Sequence, residues 1–227
     1  MIMSKTIKLL RVHFDNYLTS KMVPAFRGAI IEKVNRSHIL FHHHQGDQAV
    51  LYKYPLIQYK SIKNKPCIVC MDEGAEELYR LMNQPNLNIQ LQEKKMALVV
   101  DEVQMKRFEL KFSTQKQHYR ITNWLALNEK NFNLFKNLPG ELDQVAHLER
   151  ILIGNILAFA KGVDWQIEEQ IKLEILEISQ QRIIRFKGKP LVAFDLTFSC
   201  NVILPNYIGL GKSASHGYGF IKQQKFN

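Results

Sequence analysis

Residues 205–222 carry four glycines, Gly209, Gly211, Gly217 and Gly219, set among Lys212, Ser213, Ser215 and His216 and flanked by apolar segments. Glycine at this density breaks both helix and regular strand, so the chain must turn here between two apolar segments. Glycine also admits positive φ and lets a ligand approach the main chain closely. Successive exposed N–H groups in such a loop can form a concave anion site. Lys212 would add a mobile positive charge, and Ser213 and Ser215 hydroxyl donors. Two readings stand at this point: a phosphate-cradling loop, or a tight connection between strands.

Charge favours the first. Lys and Arg number 31 against 21 Asp and Glu, a formal net charge of +10. Such an excess points to a polyanionic partner, nucleic acid before membranes or acidic proteins. It is also uneven. From residue 181 onward Arg182, Arg185, Lys187, Lys189, Lys212, Lys222 and Lys225 face one acid, Asp195, whereas residues 168–177 are acidic. No apolar run approaches the ~20 residues that cross a bilayer. The first residues lack the ordered regions of a signal peptide. The expectation is a soluble, cytoplasmic chain with no membrane partner. Cys67 and Cys70 match C-x-x-C, but within Lys65-Pro-Cys-Ile-Val-Cys-Met71 they read as part of an apolar strand. No second cysteine pair completes a zinc site. No metal and no cofactor are expected.

The remaining elements alternate. Residues 5–14 read as a strand in which period two holds only in part. Thr19 or Ser20 would cap a helix in which Met22, Val23, Phe26, Ile30, Ile31 and Val34 recur at helical steps. Pro24 falls in its first turn, where proline is tolerated. Strands at 50–60, with Pro55 implying an edge or bulge, and at 66–71 follow, then a short helix over 73–82. With a strand within 97–112, the order is β-α-β-β-α-β, the ferredoxin-like arrangement that RNA-recognition domains also use. Further on, 108–112, 118–122 and 124–127 read as hairpin-like strands. A helix from Glu141 keeps its spacing through Leu148, Leu152, Ile156 and Phe159 and ends at Gly162. Strands at 171–179, 182–187 and 191–203 lead to the glycine-rich loop. The class is α+β.

With these pieces placed, Gly209-Leu-Gly-Lys-Ser-Ala-Ser-His-Gly-Tyr-Gly-Phe220 resembles the C-terminal glycine-rich loop of the CRISPR-associated endoribonucleases that cut repeat RNA into guide RNAs. These belong to the repeat-associated mysterious protein (RAMP) superfamily. Phe41-His-His-His44 ahead of Tyr52-Lys-Tyr-Pro-Leu-Ile-Gln-Tyr-Lys60 is similar to a subgroup pattern, a histidine cluster before a Y-x-Y-P-L strand. The subgroup has His-Asn-His there, and position 43 departs from it. The resemblance implies two tandem ferredoxin-like domains with antiparallel sheets. They are expected at residues 1–115, carrying the histidines, and 116–227, carrying the loop.

The resemblance also implies metal-independent cleavage of CRISPR precursor RNA, leaving a 2′,3′-cyclic phosphate and a 5′-hydroxyl. That chemistry needs a base for the 2′-hydroxyl, an acid for the leaving 5′-oxygen, and cations for the charge-rich transition state. Histidine can serve as either acid or base near neutral pH. On a strand His42 and His44 would share one face, so they are the preferred catalytic pair, with His43 in reserve. A solvated turn is the bland alternative. Tyr52 and Tyr54 are candidates to support cleavage or stack a base, or simply to pack. Arg27, Arg182, Arg185, Lys187, Lys189, Gly209, Gly211, Lys212, Ser213, Ser215, His216, Gly217 and Gly219 are the expected RNA contacts. The expected partner is CRISPR repeat RNA, hairpin or single-stranded, with other effector subunits and a homodimer left open. A non-catalytic RNA-binding RAMP subunit and a scaffold protein are the alternatives.

Overall fold

Alternating apolar residues along Lys5–Phe14 form β1, and everything in the first half of the chain is arranged on it. The protein is described by a computed structural model covering residues 4–34, 44–45, 49–50, 54–186 and 188–224. One unit comprises Thr6–Phe108 with Ser215–Gly217; the other comprises Met1–Lys5, Glu109–Ala214 and Tyr218–Asn227.

In the N-terminal unit, strands run in the order β4 (Ile57–Ile62), β5 (Lys65–Met71), β1, β8 (Val100–Trp124). The β5 pairings are antiparallel, with Leu10 opposite Cys70, Val12 opposite Ile68, and Tyr59 opposite Ile68. Opposed residues share a face, so this register gathers Leu10, Val12, Ile57, Tyr59, Ile68 and Cys70 on one side. There α1 (Val23–Lys33) and α2 (Glu73–Met82) complete the core with Phe26, Ile30, Leu78 and Leu81. Phe26 meets Phe14 and Tyr59 edge-on, at 6.2 and 5.9 Å between ring centres. Each such buried side chain contributes about 1.5–3 kcal/mol. Two short hairpins belong to this unit: β2 (His44–Gln45) with β3 (Ala49–Val50), and β6 (Asn88–Leu91) with β7 (Lys94–Ala97). The second, not expected from the sequence, adds Ile89 and Leu91 to the core.

The C-terminal unit has the order β9 (Leu173–Phe186), β10 (Lys189–Ile203), β8, β11 (Phe220–Gln223), all pairings antiparallel. Tyr119, Ile121, Leu196, Phe198 and Ile221 are fully buried on one face. After α3 (Glu129–Lys136), α4 (Glu141–Gly162) buries Leu148, Leu152, Ile156 and Phe159 along one stripe.

The hairpin expected within 108–127 is instead a single 25-residue strand, β8. Residues 100–124 contain no glycine or proline. The polar stretch 113–116 is absorbed as an irregularity between the pairs Val202–Phe112 and Cys200–Gln117, so the strand bulges where composition suggested a turn. Likewise the two strands expected at 171–179 and 182–187 are one, with a register shift near Ser179. The true turn lies at Gly188, with φ +77°. Both units are α+β with antiparallel sheets.

Candidate functional site

The glycine-rich segment leaves β10 and returns as β11, and its two arms pair with each other. Tyr207 N–H donates to Ile221 O (2.7 Å), Ile221 N–H to Ile208 O (2.9 Å), and Leu210 N–H to Gly219 O (2.8 Å). Gly219 N–H in turn donates to Asn123 O (3.1 Å). Gly211 and Gly219 have φ of +85° and +62°, and neither has room for a side chain. A Cβ on Gly211 would lie 2.7 Å from Trp124 Nε1 and 2.8 Å from Asn155 Oδ1; one on Gly219 would lie 2.1 Å from Leu210 O. These two glycines therefore let the loop close over Trp124, whose indole N–H donates to Asn155 Oδ1 at 2.9 Å. To that extent the loop is a strand connection.

Its remaining residues are disposed differently. Lys212 is exposed and Ser213, at φ +62°, is half-buried. Ser215 is turned inward, its Oγ 3.1 Å from His216 Nδ1, while the imidazole is half-exposed. Ser215–Gly217 belongs to the N-terminal unit, where a Cβ on Gly217 would lie 3.1 Å from Val23 Cγ1 and 3.3 Å from Tyr59 O. Arg27 stands one helical turn beyond Val23, on the same side of α1. Burial pulls its pKa down, while the Tyr59 phenol opposes that shift. Burial, in turn, pushes the Tyr59 phenol up. Among the described residues its hydroxyl has no hydrogen-bond partner. Gly217 thus packs on Val23 and Tyr59, and Tyr59 is also the neighbour that acts on Arg27.

The other expected residues are more scattered. His44 lies in β2, opposite Val50; His42, His43, Tyr52 and Lys187 lie outside the described residues. The Tyr54 hydroxyl accepts a hydrogen bond from Gln58 Nε2 (2.8 Å), and burial raises its pKa, so this phenol holds its proton firmly. Arg182 is engaged locally: it pairs with Asp195 Oδ1 at 3.1 Å and bonds Asn123 Oδ1. Asp195 also accepts from Asn123 N–H at 2.7 Å. Arg185 and Lys189, flanking the Gly188 turn, are exposed and take no ion pair among the described residues.

Cys67 and Cys70 stand three apart on β5 and so point to opposite faces, both fully buried. They neither pair nor share a ligand site, in keeping with the strand reading. A feature that the sequence did not reveal is Lys60, fully buried on the face that also carries Cys67 and His13. Dehydration pushes its pKa down to about 7. His13 Nε2 lies 3.7 Å from Cys67 Sγ, and burial lowers its pKa as well. Only the alternation along Ile57–Ile62, which sends Gln58 and Lys60 to one face, hints at it.

Residues 5–109 match the Cas6b N-terminal domain and residues 111–224 the Cas6b C-terminal domain. A crystal structure of Cas6b superposes with a TM-score of 0.86 at 27% identity, covering 97% of this chain and 100% of that one. A second, of the CRISPR RNA processing endoribonuclease Cas6b, gives 0.75 at 25% identity over the same shares. A type IV Cas6 crRNA endonuclease, 14% identical with a TM-score of 0.56 over 97% and 100% of the two chains, shares the fold. An uncharacterized protein of Methanocaldococcus jannaschii is 39% identical over 101 residues, 44% of this chain and 67% of that protein. The architecture is that of the Cas6 proteins, two ferredoxin-like domains with antiparallel sheets. With both halves matched in order, the chain belongs to the Cas6b family.

Proposed function

We propose that this chain is a metal-independent endoribonuclease that cleaves CRISPR precursor RNA within its repeats to give guide RNAs. The observation that carries this is the match of both halves to Cas6b, one relative being named a CRISPR RNA processing endoribonuclease. In the proposed reaction a 2′-hydroxyl loses its proton to an imidazole as the 2′-oxygen attacks the adjacent phosphorus. The P–O5′ bond breaks, and a protonated imidazole supplies the proton to the departing 5′-oxygen. The products are a 2′,3′-cyclic phosphate and a 5′-hydroxyl, with no net gain of water. His42 and His44 are assigned these roles, with His43 in reserve. Lys212, Ser213, Ser215 and His216 of the glycine-rich loop, and Arg27 of α1, are assigned contacts to the RNA. The proposed domains are residues 1–115, carrying the histidines, and residues 116–227, carrying the loop, and the reaction takes place in the cytoplasm.

The test is incubation of purified protein with labelled repeat RNA in EDTA. Wild type should cut, and the His42→Ala/His44→Ala variant should bind the RNA without cutting it. Undiminished cutting by the variant would remove the site assignment. Tight binding with no cutting by wild type would make the chain a non-catalytic RNA-binding subunit instead.

A further inference from the structure

The sheet of the C-terminal unit has a face opposite the one that buries Tyr119, Ile121 and Ile221, and its residues take no part in the chemistry described above. Register aligns Thr197 of β10, Arg120 of β8 and Lys222 of β11 in one row across three strands. The next row pairs Thr122 with Phe220. Directly opposed residues project to the same side, and Arg120 and Thr122, two apart, share it too. Phe220 therefore stands beside two cations.

Three features of this surface call for a ligand. Arg120 and Lys222 are like charges on directly opposed positions, an arrangement that weakens a sheet. Both are exposed, and neither forms an ion pair among the described residues. The acid in their row is Glu177, on β9 two strands from Arg120, about 10 Å across the sheet. Glu174, one row further, is held by Lys116 at 2.7 Å. The other titratable group on this face of β8 is His118, opposite Ser199. Finally, the half-buried ring of Phe220 meets that of Tyr207 at 6.5 Å between centres, tilted by 35°. The strand carrying Phe220 and Lys222 is fixed by Gln223 N–H donating to Asn206 Oδ1 at 2.5 Å. Aromatic faces beside unpaired cations on a sheet surface suit a single-stranded nucleotide, the rings taking the base and the cations its phosphate.

We propose that this face is a nucleotide subsite, in which one base of the bound RNA lies against Phe220 and Tyr207 and the adjoining phosphate is held by Arg120 and Lys222. It rests on the reading of the chain as an RNA-binding protein, but it is separate from the glycine-loop tip and from the histidines. Its role is to fix where the repeat RNA lies, leaving the cleavage chemistry to other residues.

The experiment measures binding of labelled repeat RNA across a salt series, with His42→Ala/His44→Ala as the uncut parent. Arg120→Gln/Lys222→Gln should weaken binding about ten-fold at 0.1 M salt and reduce the salt slope by about 0.7, the contribution of one phosphate of a single strand. Phe220→Leu should weaken binding about ten-fold and leave the slope unchanged. In the parent, whose residues 205–222 are unsubstituted, 4-thiouridine placed along the repeat should crosslink at Phe220 or Tyr207 itself, a readout that no folding defect can mimic. Parent-like binding by both variants, or crosslinks confined to other residues, would overturn the subsite and leave the RNA-binding reading standing. Failure of the parent to bind at all would overturn both.

Discussion

Gly219→Ala is the sharpest perturbation of the glycine-rich loop. At φ +62° an L-residue carries a left-handed penalty of about 1–2 kcal/mol. The added Cβ would sit 2.1 Å from Leu210 O, so the two arms must also separate. Separation stretches the hydrogen bond from Leu210 N–H to Gly219 O and the one from Gly219 N–H to Asn123 O, each worth about 1 kcal/mol. Relief is limited because the ring of Trp124, 3.3 Å from the same Cβ position, is fully buried. The expected cost is about 3–4 kcal/mol. For a chain of this size each kcal/mol lowers Tm by about 2–4 °C, so the variant should melt about 10 °C early. Gly154→Ala is the matched control: it lies in α4 with nothing within 4 Å of its Cβ position, and should stabilise by up to about 1 kcal/mol. Thermal denaturation followed by far-ultraviolet circular dichroism reads both. A Gly219→Ala variant melting within 2 °C of wild type would refute the argument that close approach, more than ligand access, requires glycine here.

Two further outcomes follow from buried charge. Lys60, dehydrated to a pKa of about 7 against an ordinary value of 10.5, is protonated in both folded and unfolded chains below pH 7. Between those values only the unfolded chain binds the proton, so the contribution of Lys60 to stability should rise with pH across that window, by an amount on the order of 3–5 kcal/mol. Urea denaturation of Lys60→Met should lack this rise, and parallel pH profiles for the two proteins would contradict the assignment. Arg182→Ala strips the cation from Asp195, whose side chain is only 9% exposed, and should destabilise by about 1–2 kcal/mol in denaturant. Arg185→Ala, on an exposed residue, should leave stability within about 0.5 kcal/mol and weaken RNA binding. Equal stability losses in the two variants would show that the Arg182–Asp195 pair contributes nothing.

What could be read from the sequence was local and periodic. The helix over 73–82 was legible because Ala75, Leu78 and Leu81 recur at helical steps behind an acidic first turn, and Glu141–Gly162 because its apolar stripe runs for six turns. The continuity of β8 was not legible, since a bulge and a turn draw on the same polar residues and only pairing with β10 distinguishes them. α3 did leave a signal: Asn128 before Glu129 is an N-cap pattern, and its side chain accepts from Asn131 N–H at 2.8 Å. At the site, the glycines marked the loop, but composition alone could not separate Gly211 and Gly219, which serve packing, from the polar tip. Arg182 read as a free cation because its partner, Asp195, is thirteen residues away and meets it only across the β9–β10 ladder. Lys60 was barely readable for a similar reason: alternation along Ile57–Ile62 puts Gln58 and Lys60 on one face, but nothing local says that this second face of the sheet is also buried.

The membership of Ser215–Gly217 in the N-terminal unit bears on how the chain is made. Synthesis delivers residues 6–108 first, and the segment that packs on Val23 and Tyr59 follows only after residues 109–214. Until then Val23, in the first turn of α1, lacks the contact with Gly217. A nascent chain can therefore assemble most of this unit early, while the unit's last piece waits for residues 215–217. A chain that stops before residue 215 would contain residues 6–108 but not the segment that packs on Val23 and Tyr59.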